Sequence, residues 1–238
     1  SDVCSSDLGE LNKQAGLEKQ VERMLASPSL ENGVRAFFAD MLGFDGFDAL
    51  AKDSVIYPAF NGALVADIRE QTLRTLIDTL LTRQESYREV FTTRRTFMNR
   101  QLAVLYRVPV ETDLSWKAYE FPAGDPRAGL HTQVGFLALY AHPGKSSPTL
   151  RGEAIRELLL CQKIPPPPGD VDFNLFNDPN LAQKTVRERL TAHRTNPTCA
   201  GCHMLMDPLG LTLENFDGVG QYRVTENGAP IDASGALD

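Results

Sequence analysis

Cys199-Ala200-Gly201-Cys202-His203 is the stretch of this 238-residue sequence in which the spacing of reactive side chains specifies a chemistry. Two thiols three residues apart can each add across a vinyl group of haem, and the adjacent imidazole can then bind the iron as proximal axial ligand. The spacing therefore predicts one covalently attached haem c, held by Cys199 and Cys202, with His203 on the iron.

The two cysteines also allow a hypothesis without haem. A structural zinc site needs four ligands, usually from a second paired set, but the sequence has no second C-x-x-C and no H-x-x-x-H. A thioredoxin-like redox pair would lie at a strand-to-helix junction, and the flanking residues lack that pattern. A structural module with Cys199 and Cys202 in a disulfide or a zinc site stays as an alternative.

The composition bounds the class of protein. Hydrophobic residues make up 42% of the sequence, which is ordinary for a globular core, and the formal net charge of −7 argues against broad nucleic-acid binding. No run of 18 apolar residues occurs, so we predict no transmembrane segment. Four cysteines are too few for a disulfide scaffold, and Cys161 lies in an apolar run where we expect a small core residue.

Features at the two ends of the sequence indicate that it is a fragment of a longer protein. The residues 1–8 look like a translated sequencing-adapter oligonucleotide, and we exclude them from fold reasoning. The chain stops at Asp238 within a turn-rich stretch. Since c-type haem attachment takes place outside the cytoplasm and no signal peptide is visible, we expect a periplasmic or otherwise extracytoplasmic protein whose export signal lies upstream of this fragment.

Hydrophobic periodicity predicts a mainly α fold. Apolar residues recur at three- and four-residue spacing in the segments 18–25, 30–42, 64–81, 97–106, 130–140, 147–159 and 181–193. Alternation over residues 116–121 predicts a short strand, and Asn227-Gly228 predicts a C-terminal β-hairpin. We expect a turn at Asp207-Pro208-Leu209-Gly210, because Asp-Pro is typical turn chemistry.

A run of prolines predicts the domain organisation. Pro165 to Pro168, followed by Gly169, cannot continue a helix and is typical of a stiff linker. We therefore expect a helical module over residues 9–145 and a small cytochrome c-like haem module over residues 146–238, which contains the linker 165–169 and ends in the hairpin.

The residue on the distal face of the haem is a separate prediction. His193 ends a predicted helix six residues before Cys199, and Val186 and Leu190 share its face, so we take its imidazole as the candidate distal iron ligand. Met206, three residues after His203, would lie on the proximal side. The alternatives to His193 are Met204, His131, His142 and Met98.

Charged residues around the motif could bind the cofactor or a metal, or they could have ordinary surface, turn and cap roles. Arg189 and Arg223 could pair with haem propionates, because a planar guanidinium binds carboxylate bidentately, although solvated surface arginines are more frequent. We assign the acidic residues near the motif to turns and caps instead of a metal site; these are Asp207, Glu214, Asp217 and Asp232.

Several short motifs carry a family resemblance. In the C-terminal part they are Arg151-Gly152, the proline run, the segment 187–190, His193, the C-x-x-C-H motif, the segment 206–210 and the segment 213–220. This combination resembles domain of unknown function 1588. The residues from about 18 to 145 resemble domain of unknown function 1592, through the segments 97–106 and 129–133. The resemblance implies a piece of a large multi-domain cytochrome-like protein of environmental bacteria that carries a haem.

Electron transfer is the leading functional hypothesis. A haem with both axial positions filled would pass single electrons to a redox partner protein or to further modules of the same full-length chain. The second hypothesis is a peroxidase-like or oxidase haem enzyme with an open distal face. No catalytic side chain is predicted from the sequence.

Overall fold

The computed structural model describes residues 9–109, 115–165, 183–195 and 197–237. The α-helices of these ranges are α1 (Gln14–Leu25), α2 (Leu30–Met41), α3 (Gly62–Ile77), α4 (Arg100–Tyr106), α5 (Val134–Leu139), α6 (Pro148–Ala154), α7 (Val186–His193) and α8 (Pro197–Leu211). Single turns of π-helix extend α3 over Asp78–Thr82 and α6 over Ile155–Leu159. The predicted mainly α fold is confirmed.

The strands of the described ranges form two small antiparallel pairs. β1 (Arg95–Met98) pairs with β2 (Lys117–Glu120), and β3 (Thr225–Glu226) pairs with β4 (Ala229–Pro230). Asn227 and Gly228 connect the second pair with φ of 49° and 78°, the left-handed values that a two-residue hairpin turn requires. The strand over 116–121 and the C-terminal hairpin are therefore confirmed.

The predicted helix over residues 97–106 is wrong at its start. Residues up to Met98 belong to β1, and α4 begins only at Arg100. The Asn99 side chain accepts a hydrogen bond from the Leu102 N–H at 3.1 Å and so caps the helix. Such a cap supplies a hydrogen-bond acceptor for one N–H group of the first helical turn. The backbone of Asn99 is extended, so the same residue can follow directly after a strand.

One hydrophobic core joins the N-terminal and C-terminal parts of the chain. Leu64, Ile68 and Leu76 of α3 are buried at its centre. The same cluster includes residues that follow position 146 in sequence: Ala154, Leu213, Phe216 and Val219. The division into 9–145 and 146–238 stays a prediction, and linker residues 166–169 lie outside the described residues.

Polar contacts cross the same boundary. The Tyr57 hydroxyl accepts a hydrogen bond from the Gly218 N–H at 3.1 Å. The Arg127 guanidinium donates to the Gly220 carbonyl and lies over the rings of Tyr106 and Phe216, 4.6 and 4.8 Å from their centroids. These contacts fix the segment that follows α8 against the N-terminal helices.

Among the helices of the described ranges, none has the length and hydropathy needed to cross a lipid bilayer.

Candidate functional site

The C-x-x-C-H motif lies on α8. Cys199 and Cys202 are three residues apart on this helix, a spacing that places side chains on neighbouring positions of one face. Both thiols are free and partly buried. A Cβ atom added at Gly201, between them, would meet no heavy atom of the described residues within 4 Å, so none of these residues covers the helix at this point.

The His203 imidazole lies against a buried carboxylate. Its Nδ1 atom is 3.1 Å from both carboxylate oxygens of Asp207, one helical turn later. The Asp207 side chain is fully buried, whereas 18% of the His203 side chain is exposed. The Thr149 hydroxyl of α6 donates to Asp207 Oδ1 at 2.9 Å. A side chain of α6 therefore positions the Asp207 carboxylate, and this carboxylate contacts the His203 imidazole.

The turn predicted at residues 207–210 is wrong, because these residues belong to α8. The helix continues since it packs closely on α6 through two glycines. A Cβ at Gly152 would lie 1.9 Å from the Met206 carbonyl oxygen, and one at Gly210 would lie 1.7 Å from that of Pro148. Tertiary packing thus overrides the turn preference of Asp-Pro, and it places Asp207 one turn after His203.

A buried arginine connects α6 to the segment that follows α8. Arg151 is fully buried, and its guanidinium donates to the carbonyls of Leu213 at 2.9 Å, Phe216 at 2.7 Å and Leu137 at 3.1 Å. Its Nη1 atom lies 3.7 Å from Oε1 of Glu214, which is also buried. Burial lowers the Arg151 pKa to about 10 and raises the pKa of Glu214 above its usual range. This cluster supports α6, which carries Thr149.

The two arginines considered for haem propionates lie against carboxylates of the chain itself. Arg189 Nη2 is 2.5 Å from Oε1 of Glu226. Arg223 Nη2 is 3.0 Å from Oε2 of Glu214, to which the Ser146 hydroxyl also donates. Both guanidinium groups therefore have partners within the fold.

The acidic residues near the motif differ in role. Asp217 accepts the N–H groups of Val219 and Gln221, and Asp232 accepts that of Ser234, so these two carboxylates have the turn roles that the sequence predicts. Glu214 and Asp207 instead pair with basic or imidazole groups in the interior.

The candidate distal ligands of the iron differ in how far the structure describes them and in their exposure. His193 is the last residue of α7, and its side chain lies outside what the structure describes, so its ligand role stays a prediction. Met204 is 55% exposed on α8, whereas Met98 is buried in the hydrophobic core. Burial lowers the pKa of His131 and of His142, which favours their neutral forms.

Cys161, the third cysteine of the described residues, is not in the core. Cys161 is exposed, with φ of 55°, directly after the π-helical extension of α6 and the turn residue Leu160. The predicted core position is wrong because the α6 extension has ended before Cys161, so the helical periodicity no longer sets its direction. Within the described ranges, no three His, Cys, Asp or Glu side chains are grouped so that they could hold a metal ion.

Comparison with known families gives two matches. The residues 5–108 match PSD4, protein of unknown function (DUF1592), and the residues 127–226 match PSCyt3, protein of unknown function (DUF1588). No curated protein and no solved structure matches the chain. The second match contains α8, His203 and the Arg151 cluster.

Proposed function

The chain consists of a DUF1592 module followed by a DUF1588 module, and from this premise we propose that it binds one haem c covalently and transfers electrons. Cys199 and Cys202 would form the two thioether bonds, each by adding its sulfur to one vinyl carbon and its hydrogen to the other. His203 would be the proximal ligand of the iron. The observation that carries the proposal is that all three side chains lie close together on α8, where a Cβ at Gly201 would meet no atom of the described residues within 4 Å.

The donor set of the site fits this cofactor. Both thiols are free, and the covalent chemistry consumes thiols. The Nδ1 atom of His203 lies 3.1 Å from Asp207, and Nε2 is the nitrogen that we assign to the iron. When bound, the haem supplies a metal centre that takes up and releases one electron, while the chain sets its ligands and surroundings.

The proposed partner is a one-electron redox protein or a further module of a longer chain. The net charge of −7 favours a partner with a positive surface, because complementary charge increases the rate of encounter. Covalent haem attachment also places the protein outside the cytoplasm, and an extracytoplasmic location is part of the proposal.

Haem-dependent staining after denaturing electrophoresis tests the attachment. Protein matured in a periplasm with c-type maturation machinery is expected to stain, and the double variant Cys199→Ala/Cys202→Ala is expected to lose the stain. Cys161→Ala is the matched control, because this cysteine is exposed and lies outside the motif. An unstained wild-type protein, or a stain that survives the double substitution, would contradict the proposal.

The absorption spectrum of the stained protein separates carrier from enzyme. A carrier with two axial ligands is expected to be low-spin, and His193→Ala is expected to make it high-spin without loss of the stain if His193 is the distal ligand. A wild-type protein that is already high-spin would contradict the carrier and favour the haem enzyme.

A further inference from the structure

A cleft lined from both family-matched parts of the chain has the features of a small-molecule site. Its volume is about 400 Å³, within the range of ligand-binding clefts. The segments 56–60 and 104–107 contribute to it from the part that matches DUF1592, and Val219 and Gln221 contribute from the part that matches DUF1588. We propose that this cleft binds a medium-chain carboxylate, an apolar chain that ends in one carboxyl group, and that Arg107 binds the carboxyl group.

The floor of the cleft is apolar. We use this name for its buried lining residues, which are Tyr57, Phe60, Leu105 and Val219. The Tyr57 hydroxyl accepts a hydrogen bond from the Gly218 N–H and lies 3.3 Å from the Gly144 carbonyl oxygen, so the fold already uses this polar group. The ring of Tyr57 is what remains for a ligand. The floor therefore suits a hydrocarbon body and offers it no unpaired hydroxyl.

Apolar lining residues are also in contact with solvent. Ile56 is 53% exposed and Val104 is 54% exposed. Removal of such surface from water is favourable, and it does not depend on the direction from which an apolar group approaches. A hydrocarbon chain in the cleft would cover both side chains, and this burial supplies the affinity for the body of the ligand.

Arg107 is the charged residue among those that line the cleft. Its Nη2 atom donates to Oε1 of Gln221 at 2.8 Å, and Nε2 of Gln221 donates to the Leu105 carbonyl at 3.3 Å. These two bonds occupy both ends of the Gln221 amide and hold the guanidinium beside the apolar lining. A guanidinium has more N–H donors than one bond uses, and two of them match the two oxygens of a carboxylate.

The backbone at Arg107 supports a role for its side chain. Arg107 follows α4 with φ of 57° and ψ of 39°, the left-handed values that glycine or asparagine usually adopts at the end of a helix. A residue with a larger side chain is strained in this conformation, and such strained positions occur often where proteins bind ligands. The chain thus has a guanidinium at a position where the backbone favours glycine.

Three probes with the same body and different head groups test the assignment. Octanoate, octanol and octylammonium are titrated into the full chain at neutral pH, below the concentrations at which they form micelles, and binding is measured by calorimetry. Octanoate should bind. Octanol should bind at least about tenfold more weakly, because a hydrogen bond to a charged group contributes more than a neutral one. Octylammonium should bind more weakly than octanol, because Arg107 repels it.

Substitutions at Arg107 test the head-group contact. Arg107→Gln should reduce the affinity for octanoate to that for octanol, and Arg107→Lys should give an intermediate value because it keeps the charge and loses the planar pair of donors. Equal affinities of the wild-type chain for octanoate and octanol would overturn the role of Arg107. No measurable binding of octanoate would overturn the site.

A bulky substitution tests the location. Val104→Trp fills the cleft and should abolish octanoate binding. Val55→Trp is the matched control, because Val55 is 89% exposed and does not line the cleft, and it should bind octanoate as the wild type does. Binding that survives Val104→Trp would place octanoate elsewhere on the chain and overturn the assignment. If circular dichroism shows that Val104→Trp does not fold, the variants of the exposed Arg107 still decide.

A second copy of the chain is the competing occupant. Sedimentation at several protein concentrations detects it, and a dimer that Val104→Trp removes and octanoate does not affect would overturn the carboxylate site. A monomer, or a dimer that Val104→Trp leaves intact, is the expected result. None of these measurements depends on the haem proposal, because the lining of the cleft contains no residue of the C-x-x-C-H motif.

Discussion

At the scale of single residues, the molecule depends on buried charges that have defined partners. The Arg151 guanidinium donates to backbone carbonyls of segments that precede and follow α6 in the sequence. Glu214 lies beside it and also contacts Arg223 and Ser146. A buried ion pair is weak evidence for net stability, but the loss of one partner leaves an uncompensated charge in the interior. The cluster should therefore be sensitive to the removal of either partner.

Arg151→Met tests this sensitivity. We expect the free energy of unfolding in urea to fall by about 3–5 kcal/mol, because Glu214 loses its buried guanidinium partner and keeps only the partly exposed Arg223, and several carbonyls lose their donor. In the double variant Arg151→Met/Glu214→Leu both buried charges are removed, and the partly exposed Arg223 can be solvated, so part of the loss, at least about 1 kcal/mol, should return. Strictly additive effects of the two substitutions would show that the pair does not interact.

At the scale of elements, the close crossing of α6 and α8 positions the motif. Gly152 and Gly210 bring the two backbones into contact, and this contact aligns Thr149, Asp207 and His203 in one chain of hydrogen bonds. Any atom added at the crossing has to push one backbone away from the other.

Gly152→Ala is expected to lower the free energy of unfolding by about 1–3 kcal/mol, since overpacking forces the helices apart. Gly33→Ala is the matched control, because a Cβ at Gly33 of α2 would meet no atom of the described residues within 4 Å. Alanine should stabilise that helix by roughly 0.5–1 kcal/mol. Thermal or urea unfolding of both variants measures the difference, and equal effects would refute the role of the crossing.

The sequence predicts the elements of the site better than their contacts. The periodicity locates the helices, and the motif identifies Cys199, Cys202 and His203. The His203–Asp207 pair has a sequence signal too, a four-residue spacing, but it applies only if residues 203–207 are helical. The turn preference of Asp207-Pro208 argues against a helix there, so the spacing alone does not predict the pair. The packing that stabilises the helix involves Gly152, about 50 positions earlier in the sequence.

At the scale of the whole molecule, the shared core argues against independent halves. Ala154, Leu213, Phe216 and Val219 pack in the same cluster as side chains of α2 to α5. The composition cannot reveal this, because a count of apolar residues does not say which of them pack together. Only the three-dimensional contacts show that the two halves share one.

Separate expression of residues 9–145 and 146–238 tests the shared core. We expect the full chain to unfold in one urea transition, and the 146–238 fragment to show no cooperative transition, because its apolar side chains lose their partners. Mixing the two fragments should restore helical circular dichroism. Two independent transitions, one in each isolated fragment, would instead support the predicted division between residues 145 and 146.

The hydrogen bond between Tyr57 and Gly218 also matters for the order of events during translation. At about 5–20 residues per second, roughly 8–30 s pass between the synthesis of these two residues. During this interval α3 and the helices around it have been made without the segment that later covers them. The nascent chain therefore exposes apolar surface for seconds, and a chaperone that binds such surface would act on this protein before Gly218 leaves the ribosome.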